Sequence, residues 1–544
     1  MPEQLTLETP SDDARPRTGT GVESPSAAPA SIAFERERLK SREEIAAHYD
    51  RHAARRDAWR RRNSYYHETL AQICRAVIPP SGRVLELGSA TGDLLASVSP
   101  RVGVGVDLSQ RMCEIARRKY PQLQFINADA EALPFEAEFD YVIMSDLVGH
   151  LSDVWETLRG VRRVCTTETR VVVTAYNFLW QPVLTAAERL GLKMPETPQN
   201  WLGFGDLENL FYLADFHVED AGTLLLVPAR VPLVADWLNR RLPKNRFLSN
   251  FGLLNYFVLR PATEATPPVA RAVSVVVPCR NEVGNIGACV ERVPPLGART
   301  EIIFVDGDST DGTIEEIERQ IEGWRGVKEI KLVHQVERAP TKQAGRDTNT
   351  RASNLMLKLG KGDAVRKGFA AASGDVLMIL DADLTVPPED LPKFYDAVSR
   401  GKGELINGTR LVYPLADQSM KSLNFLGNKI FSWLFTWLLN QPIKDTLCGT
   451  KVLSRDDYER IAANRRHFGE FDPFGDFDLL FGASRLGMRI TELPVRYRRR
   501  TAGESKVRVL RHGVLLARMC AIGFWRLKAQ PWLARLRRDG RAKV

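Results

Sequence analysis

Val84-Leu85-Glu86-Leu87-Gly88-Ser89-Ala90-Thr91-Gly92-Asp93 is an apolar run that carries one acid and breaks into a turn with two glycines. An uninterrupted apolar run bounded by a turn suits a strand buried on both faces. The glycines let the backbone turn tightly and approach a ligand at a helix N-terminus. One strand later, Val104-Gly105-Val106-Asp107 ends in an acid placed to hold two ribose hydroxyls. After a third strand, Asn127-Ala128-Asp129-Ala130 precedes Leu133-Pro134-Phe135, setting a carboxylate where an adenine amino group would lie. Strands expected at Arg83–Leu87, Val102–Asp107, 123–127, 141–144 and 170–174 alternate with helical sequence, which argues for a doubly wound parallel sheet. A late apolar stretch at 253–259 is expected to close that sheet.

A second series begins about two hundred residues on, after the linker-like Pro261-Ala262-Thr263-Glu264-Ala265-Thr266-Pro267-Pro268. The strand Val273-Ser274-Val275-Val276-Val277-Pro278 leads into Cys279-Arg280-Asn281-Glu282. Ile302-Ile303-Phe304-Val305 ends in Asp306-Gly307-Asp308-Ser309-Thr310-Asp311. Gly360-Lys361-Gly362-Asp363-Ala364-Val365-Arg366 precedes Val376-Leu377-Met378-Ile379-Leu380-Asp381-Ala382-Asp383. An Asp-x-Asp at a strand end suits a hard divalent ion, Mg²⁺ or Mn²⁺, which bridges phosphates and neutralises charge on a departing nucleoside diphosphate. Pro278, Asn281, Glu282, Asp306, Lys361 and Arg366 are the candidates for holding the nucleotide part of such a donor. Asp308 and Asp311 also read as helix caps.

The first series resembles class I S-adenosylmethionine-dependent methyltransferases over roughly residues 45–180, with Phe139-Asp140-Tyr141-Val142-Ile143 as the fourth strand. The resemblance implies that Glu86, Gly88 and Gly92 line the cofactor, that Asp107 holds ribose and that Asp129 contacts adenine. The central glycine usual in that turn is here Ala90. The methyl acceptor is not legible. His150 and Tyr176 are candidates for a base or pocket residue, or for hydrogen-bonded strand-end residues. Tyr65 and Tyr66 are candidates for covering the cofactor, or for the core.

The second series is similar to glycosyltransferase family 2, with a GT-A fold, from about residue 273 to 506. It is most like the branch with dolichol-phosphate mannose synthase and polyprenyl-phosphate glycosyltransferases. Asn407-Gly408-Thr409-Arg410, Lys444-Asp445-Thr446-Leu447-Cys448-Gly449-Thr450-Lys451 and Gly503-Glu504-Ser505-Lys506 carry this likeness. It implies metal ligation by Asp381 and Asp383, nucleotide contact at Asp306, phosphate contacts from Arg410, Lys429 and Lys506, and an inverting in-line displacement. Two positions depart from it: Asp306 is followed by Gly307, and Thr385 stands where mannose synthases carry Gln. A polyprenyl phosphate acceptor is already anionic and needs cations beside it. A hydroxyl acceptor needs a carboxylate to take its proton, for which Asp445 and Asp476 are the candidates.

The fold class expected is therefore α/β, with two tandem Rossmann-like domains. The boundaries expected are 1–34 disordered, 35–260 methyltransferase-like, 261–271 linker, 272–508 glycosyltransferase-like and 509–544 a basic amphipathic tail. The expected partners are a GDP- or UDP-linked sugar, a polyprenyl phosphate or glycolipid acceptor, and a membrane surface. The alternative is a sugar transferase acting on a hydroxyl-bearing glycan or lipid, with the first domain a degenerate binding module.

Composition is compatible with both. The formal net charge is +9, but from Arg496 onward there are fifteen Lys/Arg against two acids, so the excess is local. Without aromatic–basic interleaving of the kind that recognises nucleic acid, anionic lipid is a better neighbour than nucleic acid. Seven scattered cysteines with no Cys-x-x-Cys pair read as reduced thiols, which places the protein in the cytoplasm, on the inner face of the cell membrane. No run of about twenty apolar residues spans a membrane, and no signal-peptide core is seen at the start. The apolar segments 425–439 and 509–532 read as interfacial or buried helices.

Overall fold

The computed structural model describes residues 42–135, 137–197, 199–228, 237, 239, 248–263, 268–336, 360–410, 422–465, 475, 477–496, 498, 500, 509–530 and 532. The chain forms two compact units, Met1–Thr263 and Glu264–Val544. The expected disordered segment 1–34 and the residues Asp476 and Lys506 lie outside the described residues, as does the side chain of Lys429.

The first unit is built on strands β1 (Arg83–Leu87), β2 (Val102–Asp107), β3 (Gln124–Asn127), β4 (Phe139–Ser145), β5 (Cys165–Tyr176), β6 (Phe216–Leu224) and β7 (Leu254–Pro261). Their order across the sheet is β3-β2-β1-β4-β5-β7-β6. The first five run parallel. β7 enters antiparallel beside β5, and β6 pairs antiparallel on its outer side. The sheet is thus mixed, not wholly parallel as expected, and the 253–259 stretch does not close it. β6 was hidden because it is an edge strand: His217, Glu219 and Asp220 are exposed, so its sequence lacks an apolar run. The helix Ser64–Val77 buries Tyr66, Leu70, Ala71 and Cys74 on one face. Cys74 joins Ile78, Val84, Ile143 and Val172 in a core beneath the strands.

The second unit carries β8 (Ala272–Cys279), β9 (Arg299–Asp306), β10 (Glu329–His334), β11 (Val376–Ile379), β12 (Leu405–Thr409), β13 (Lys451–Ser454) and β14 (Ile490–Pro494). The order is β10-β9-β8-β11-β13-β12-β14. β10, β9, β8 and β11 are parallel, and β13 is antiparallel to both β11 and β12. β11 is shorter than the apolar run suggests. Leu384 takes φ +52° and donates its N–H to the Asp381 carbonyl, so the chain turns at the two acids instead of extending through them.

Helices Ser422–Leu439 and Val509–Phe524 contribute to this unit's core. Phe435, Leu438, Leu439, Phe477, Phe481, Leu516, Met519 and Cys520 pack in one buried cluster. The expected tail at 509–544 therefore begins with a core helix. Its spaced arginines mark it as a basic amphipathic segment, and Leu516, Met519 and Cys520 supply a buried stripe at helical spacing. All seven cysteines are free and buried.

Candidate functional sites

In the first unit the C-terminal ends of β1, β2, β4 and β5 open onto a cavity of about 450 Å³. Glu86, Gly88, Ser89, Ala90, Asp107 and Asp129 all line it. Gly92, at φ +78°, starts the helix Asp93–Ser97, and a side chain there would run into the Phe125 ring. Gly88 and Ser89 donate their N–H groups to the Val106 carbonyl, which ties the turn to β2. Ala90 donates to Asp107 Oδ2 (2.7 Å) and Ser109 N to Asp107 Oδ1 (2.8 Å). Each Asp107 oxygen keeps a second lone pair for a ligand. Burial raises the Asp107 pKa, opposed by the two backbone donors.

Ala90 holds φ +45°, so the turn keeps its left-handed geometry although alanine replaces the usual glycine. Glu86 is nearly fully buried and accepts from Leu95 N (3.0 Å); burial pushes its pKa up to about 8. The buried Ser89 hydroxyl has no hydrogen-bond partner among the described residues. Together with the open lone pairs on Asp107, this orphaned group gives the donor set a nucleoside with an amino-acid arm would use.

Asp129 is paired with Arg42, from the helix at 42–52. That helix also sets Asp50 under Ser109 Oγ (2.5 Å) and Arg111 N (3.1 Å), so it is pinned over the end of β2. Tyr66 lines the cavity and donates to Asp146 Oδ2 (2.7 Å); Tyr65 does not line it, and its hydroxyl accepts from Asn239. His150 and Tyr176 both line the cavity. Asp146 was missed, although a carboxylate right after the fourth strand was a readable signal. It takes φ +54°, and burial raises its pKa to about 6.

In the second unit, Asp381 and Asp383 follow β11 directly. Lys361 Nζ lies 2.5 Å from Asp381 Oδ1, and Arg500 Nη2 lies 2.7 Å from Asp383 Oδ2. Thr385 donates to Asp383 Oδ1 through its N–H (3.1 Å) and hydroxyl (2.8 Å). The two acids titrate apart. Burial would raise both, but Lys361 holds Asp381 below the usual range, while burial and the Asp381 charge hold Asp383 above it. Gly449 passes so close to Asp381 and Lys361 that a side chain there would collide with both. Lys451 is fully buried and donates to the Cys448 carbonyl (2.6 Å).

Asp445 accepts from Arg410 Nε (2.6 Å), Nη2 (2.8 Å) and backbone N (3.0 Å). Burial alone would raise its pKa, but Arg410 brings it below the ordinary range, which suits an anchor better than a proton acceptor. Glu492 sits behind it, accepting from Lys444 N (2.9 Å) and Asp445 N (3.2 Å), with its pKa pushed by burial to about 8. Asp306 is buried and accepts from Asp308 N and Ser309 N, closing the turn after β9. Asn281, at φ +53°, accepts from Thr310 N (2.9 Å), and Glu282 from Asn285 Nδ2 (2.8 Å). Pro278 lies near the end of β8, paired in register with Val305. Arg366 faces Asp478 at 3.7 Å. Arg500 and Lys451 were missed: Arg500 sat in a basic run read as tail, and Lys451 in a motif read for its Asp and Gly.

Residues 84–168 match the family described as Methyltransferase domain, and residues 274–354 and 355–461 match Glycosyl transferase family 2. The glycosyltransferase AglD of Haloferax volcanii is 26% identical over 50% of this chain and 41% of its own length. This chain thus spans less than half of that relative. An uncharacterized glycosyltransferase of Mycobacterium tuberculosis is 27% identical over 47% of this chain and 97% of its own. The dolichol-phosphate mannosyltransferase of Pyrococcus furiosus is 28% identical over 43% of this chain and 59% of its own. A SAM-dependent methyltransferase from Thermotoga maritima is similar at TM-score 0.32 and 19% identity, over 40% of this chain and 99% of its own. The chain joins two transferase domains. The first is a methyltransferase domain and the second a family 2 glycosyltransferase domain similar to polyprenyl-phosphate sugar transferases.

Proposed function

We propose that Glu264–Val544 transfers a sugar from a GDP- or UDP-linked donor to a polyprenyl phosphate with inversion, at the inner face of the cell membrane. In the same proposal, Met1–Thr263 binds S-adenosylmethionine and methylates a substrate of the same surface glycan or glycolipid assembly. The observation that carries the transferase reading is the acid pair Asp381 and Asp383 with Lys361 and Arg500 bound to it. Both carboxylates already draw cations, which is the donor chemistry a hard Mg²⁺ or Mn²⁺ ion needs. Among the described residues no group of three or more His, Cys, Asp or Glu could hold a metal. One or two carboxylates are nevertheless what a phosphate-bridging ion takes from a protein. When bound, it would offset charge on the departing diphosphate.

This chain's own residues do the rest. Asp306, Asn281 and Glu282 shape the turns that receive the nucleoside. Lys361 and Arg500 bring positive charge to the phosphates. Asp445 and Glu492 hold Arg410 and the 444–445 backbone in place for an anionic acceptor. A phosphate acceptor needs no base, and the lowered Asp445 carboxyl agrees with that. Among the described residues no helix is long and apolar enough to cross a membrane. Membrane contact is instead supported by Trp433, Trp437 and Phe524, large and exposed on the two helices that share the core cluster, and by the exposed Trp525 and Trp532 in the stretch that follows. Trp437 stacks on Phe524 and carries Lys528 Nζ 5.3 Å above its ring, an aromatic and cationic mixture suited to anionic lipid headgroups.

The test is mass spectrometry of a polyprenyl phosphate incubated with the protein, Mg²⁺ or Mn²⁺ and a panel of nucleotide sugars. A mass gain of one sugar, lost in Asp381→Ala and Asp383→Ala, is the expected result. Donor binding without any gain would overturn the lipid-phosphate acceptor and favour a hydroxyl-bearing glycan or lipid.

A further inference from the structure

The first unit's cavity continues past Ser89 and Asp107 to ionisable groups drawn from three separate segments. Tyr49 comes from the helix at 42–52, Asp146 and His150 follow β4, and Lys193 and Glu196 follow the helix Gln181–Arg189. Glu196 Oε2 lies 2.6 Å from Lys193 Nζ and 4.0 Å from His150 Nε2. His150 Nδ1 is 3.1 Å from Thr197 Oγ1, and the Tyr49 hydroxyl is 3.4 Å from both ring nitrogens. Lys193 also pairs with Glu188 (2.8 Å), and the His48 ring meets Tyr49 edge to face.

Asp146 is committed: Oδ2 accepts from Tyr66 and Oδ1 from Thr174. His150 is different. Burial lowers its pKa, with Glu196 opposing and Lys193 assisting, so the imidazole is neutral and able to take a proton. The far end of the cavity is apolar. Val183 and Leu192 line it and are 54% and 40% exposed, so the lining runs out to the surface. Phe178, Leu179 and Leu190 extend that exposed apolar surface along the same stretch of chain.

We propose that this compartment receives a hydroxylated headgroup on an apolar chain, an alkyl or lipid glycoside, and that His150 removes the proton of the hydroxyl that is methylated. The inference rests on S-adenosylmethionine being the methyl-donor substrate of this cavity. The acceptor oxygen bonds to the donor's methyl carbon, and the carbon–sulfur bond breaks with its electron pair left on sulfur. The O–H proton goes to His150 Nε2, with Nδ1 held by Thr197 Oγ1, while Glu196, 4.0 Å from Nε2, balances the imidazolium. Trp180 offers an aromatic surface to a sugar ring, and Val183 and Leu192 take the start of the chain. An amine acceptor is the alternative that the test separates, since it arrives as an ammonium ion with no lone pair to attack the methyl group.

The experiment uses the full chain, labelled S-adenosylmethionine, and three probes: octyl β-D-glucoside below its micelle concentration, methyl β-D-glucoside and octylamine. Calorimetry measures donor and probe binding separately from turnover. Transfer to octyl glucoside is expected, with kcat/KM about tenfold above methyl glucoside, the equivalent of burying a few methylenes. His150→Gln should lower kcat about 100-fold and leave donor and octyl glucoside Kd unchanged. Val183→Asp, on the surface, should weaken octyl glucoside binding about tenfold and leave methyl glucoside alone. Methylation of octylamine alone, an unaltered rate in His150→Gln, or donor binding with no transfer to either glycoside would each overturn the proposal. Failure to bind the donor would instead overturn the reading beneath it.

Discussion

Replacing Gly449 with alanine tests whether the Asp381 carboxylate sits at the reacting centre. The backbone at Gly449 lies outside the left-handed region, so alanine brings no backbone strain, only a methyl group. That methyl would overlap Asp381 Oδ2 and Lys361 Nζ, and the same ammonium is held 2.5 Å from Asp381 Oδ1. Ordinary contact needs about 3.5 Å, so the carboxylate must move by about 1 Å or the ion pair must open. A displacement of that size at a catalytic group costs about 100-fold in rate, which is about 2.7 kcal/mol. The overpacking itself should cost about 1–3 kcal/mol of stability. The assay is kcat/KM for sugar transfer, with the thermal midpoint and calorimetric S-adenosylmethionine binding by the other unit as internal controls. Gly323→Ala is the matched control, because no atom lies within 4 Å of its new methyl. If Gly449→Ala folds and transfers sugar at the wild-type rate, the placement of Asp381 at the reaction centre is refuted.

Ala90→Gly should relieve a non-glycine residue at φ +45°. The left-handed cost of about 1–2 kcal/mol is partly offset by glycine's entropy, about 0.5–1 kcal/mol, so a gain of up to about 1.5 kcal/mol in unfolding free energy is expected. A lower thermal midpoint together with weaker S-adenosylmethionine binding would contradict this. Glu86 makes the ligand-free protein pH-sensitive. Its folded pKa, about 8, lies above the unfolded value, so its contribution is complete below about pH 4 and is lost as pH rises through 8. That loss is on the order of 5 kcal/mol, so Glu86→Gln should flatten the fall in stability across this range in denaturant titrations. An unchanged slope would mean that Glu86 stays ionised. Trp433→Ser, at a residue 73% exposed, should reduce sedimentation with anionic vesicles about tenfold, as removal of a buried indole implies. Unchanged binding would remove this face from the membrane reading.

The strand ends that bear Glu86, Asp107, Asp306 and Asp381 were legible because each is a short, mainly apolar run that carries or meets an acid just before a turn. Such a run has one favourable use, a strand buried on both faces. Three features were not legible, each because tertiary contacts reverse the local signal. β6 is a polar edge strand that exists through its pairing with β7. Arg500 looked like one more cation in a basic run, yet its guanidinium reaches Asp383 across more than a hundred residues of sequence. Lys193 and Glu196 lie in irregular chain whose pattern carries no periodicity, and only folding brings them against His150. The helix Val509–Phe524 shows the same limit in a milder form: its arginines were plain, but what covers its apolar stripe was not.

The buried thiols have a practical consequence. Cys74, Cys113 and Cys165 lie in one unit, and Cys279, Cys289, Cys448 and Cys520 in the other. Burial pushes every one of their pKa values up, to about 12 at Cys113, Cys165, Cys289 and Cys448 and to about 11 at Cys520. An alkylating reagent in native buffer therefore finds almost no thiolate. As denaturant rises, the mass of the alkylated chain becomes a counter with two registers, three adducts for one unit and four for the other. Peptide mapping then says which unit opened first, without any engineered label.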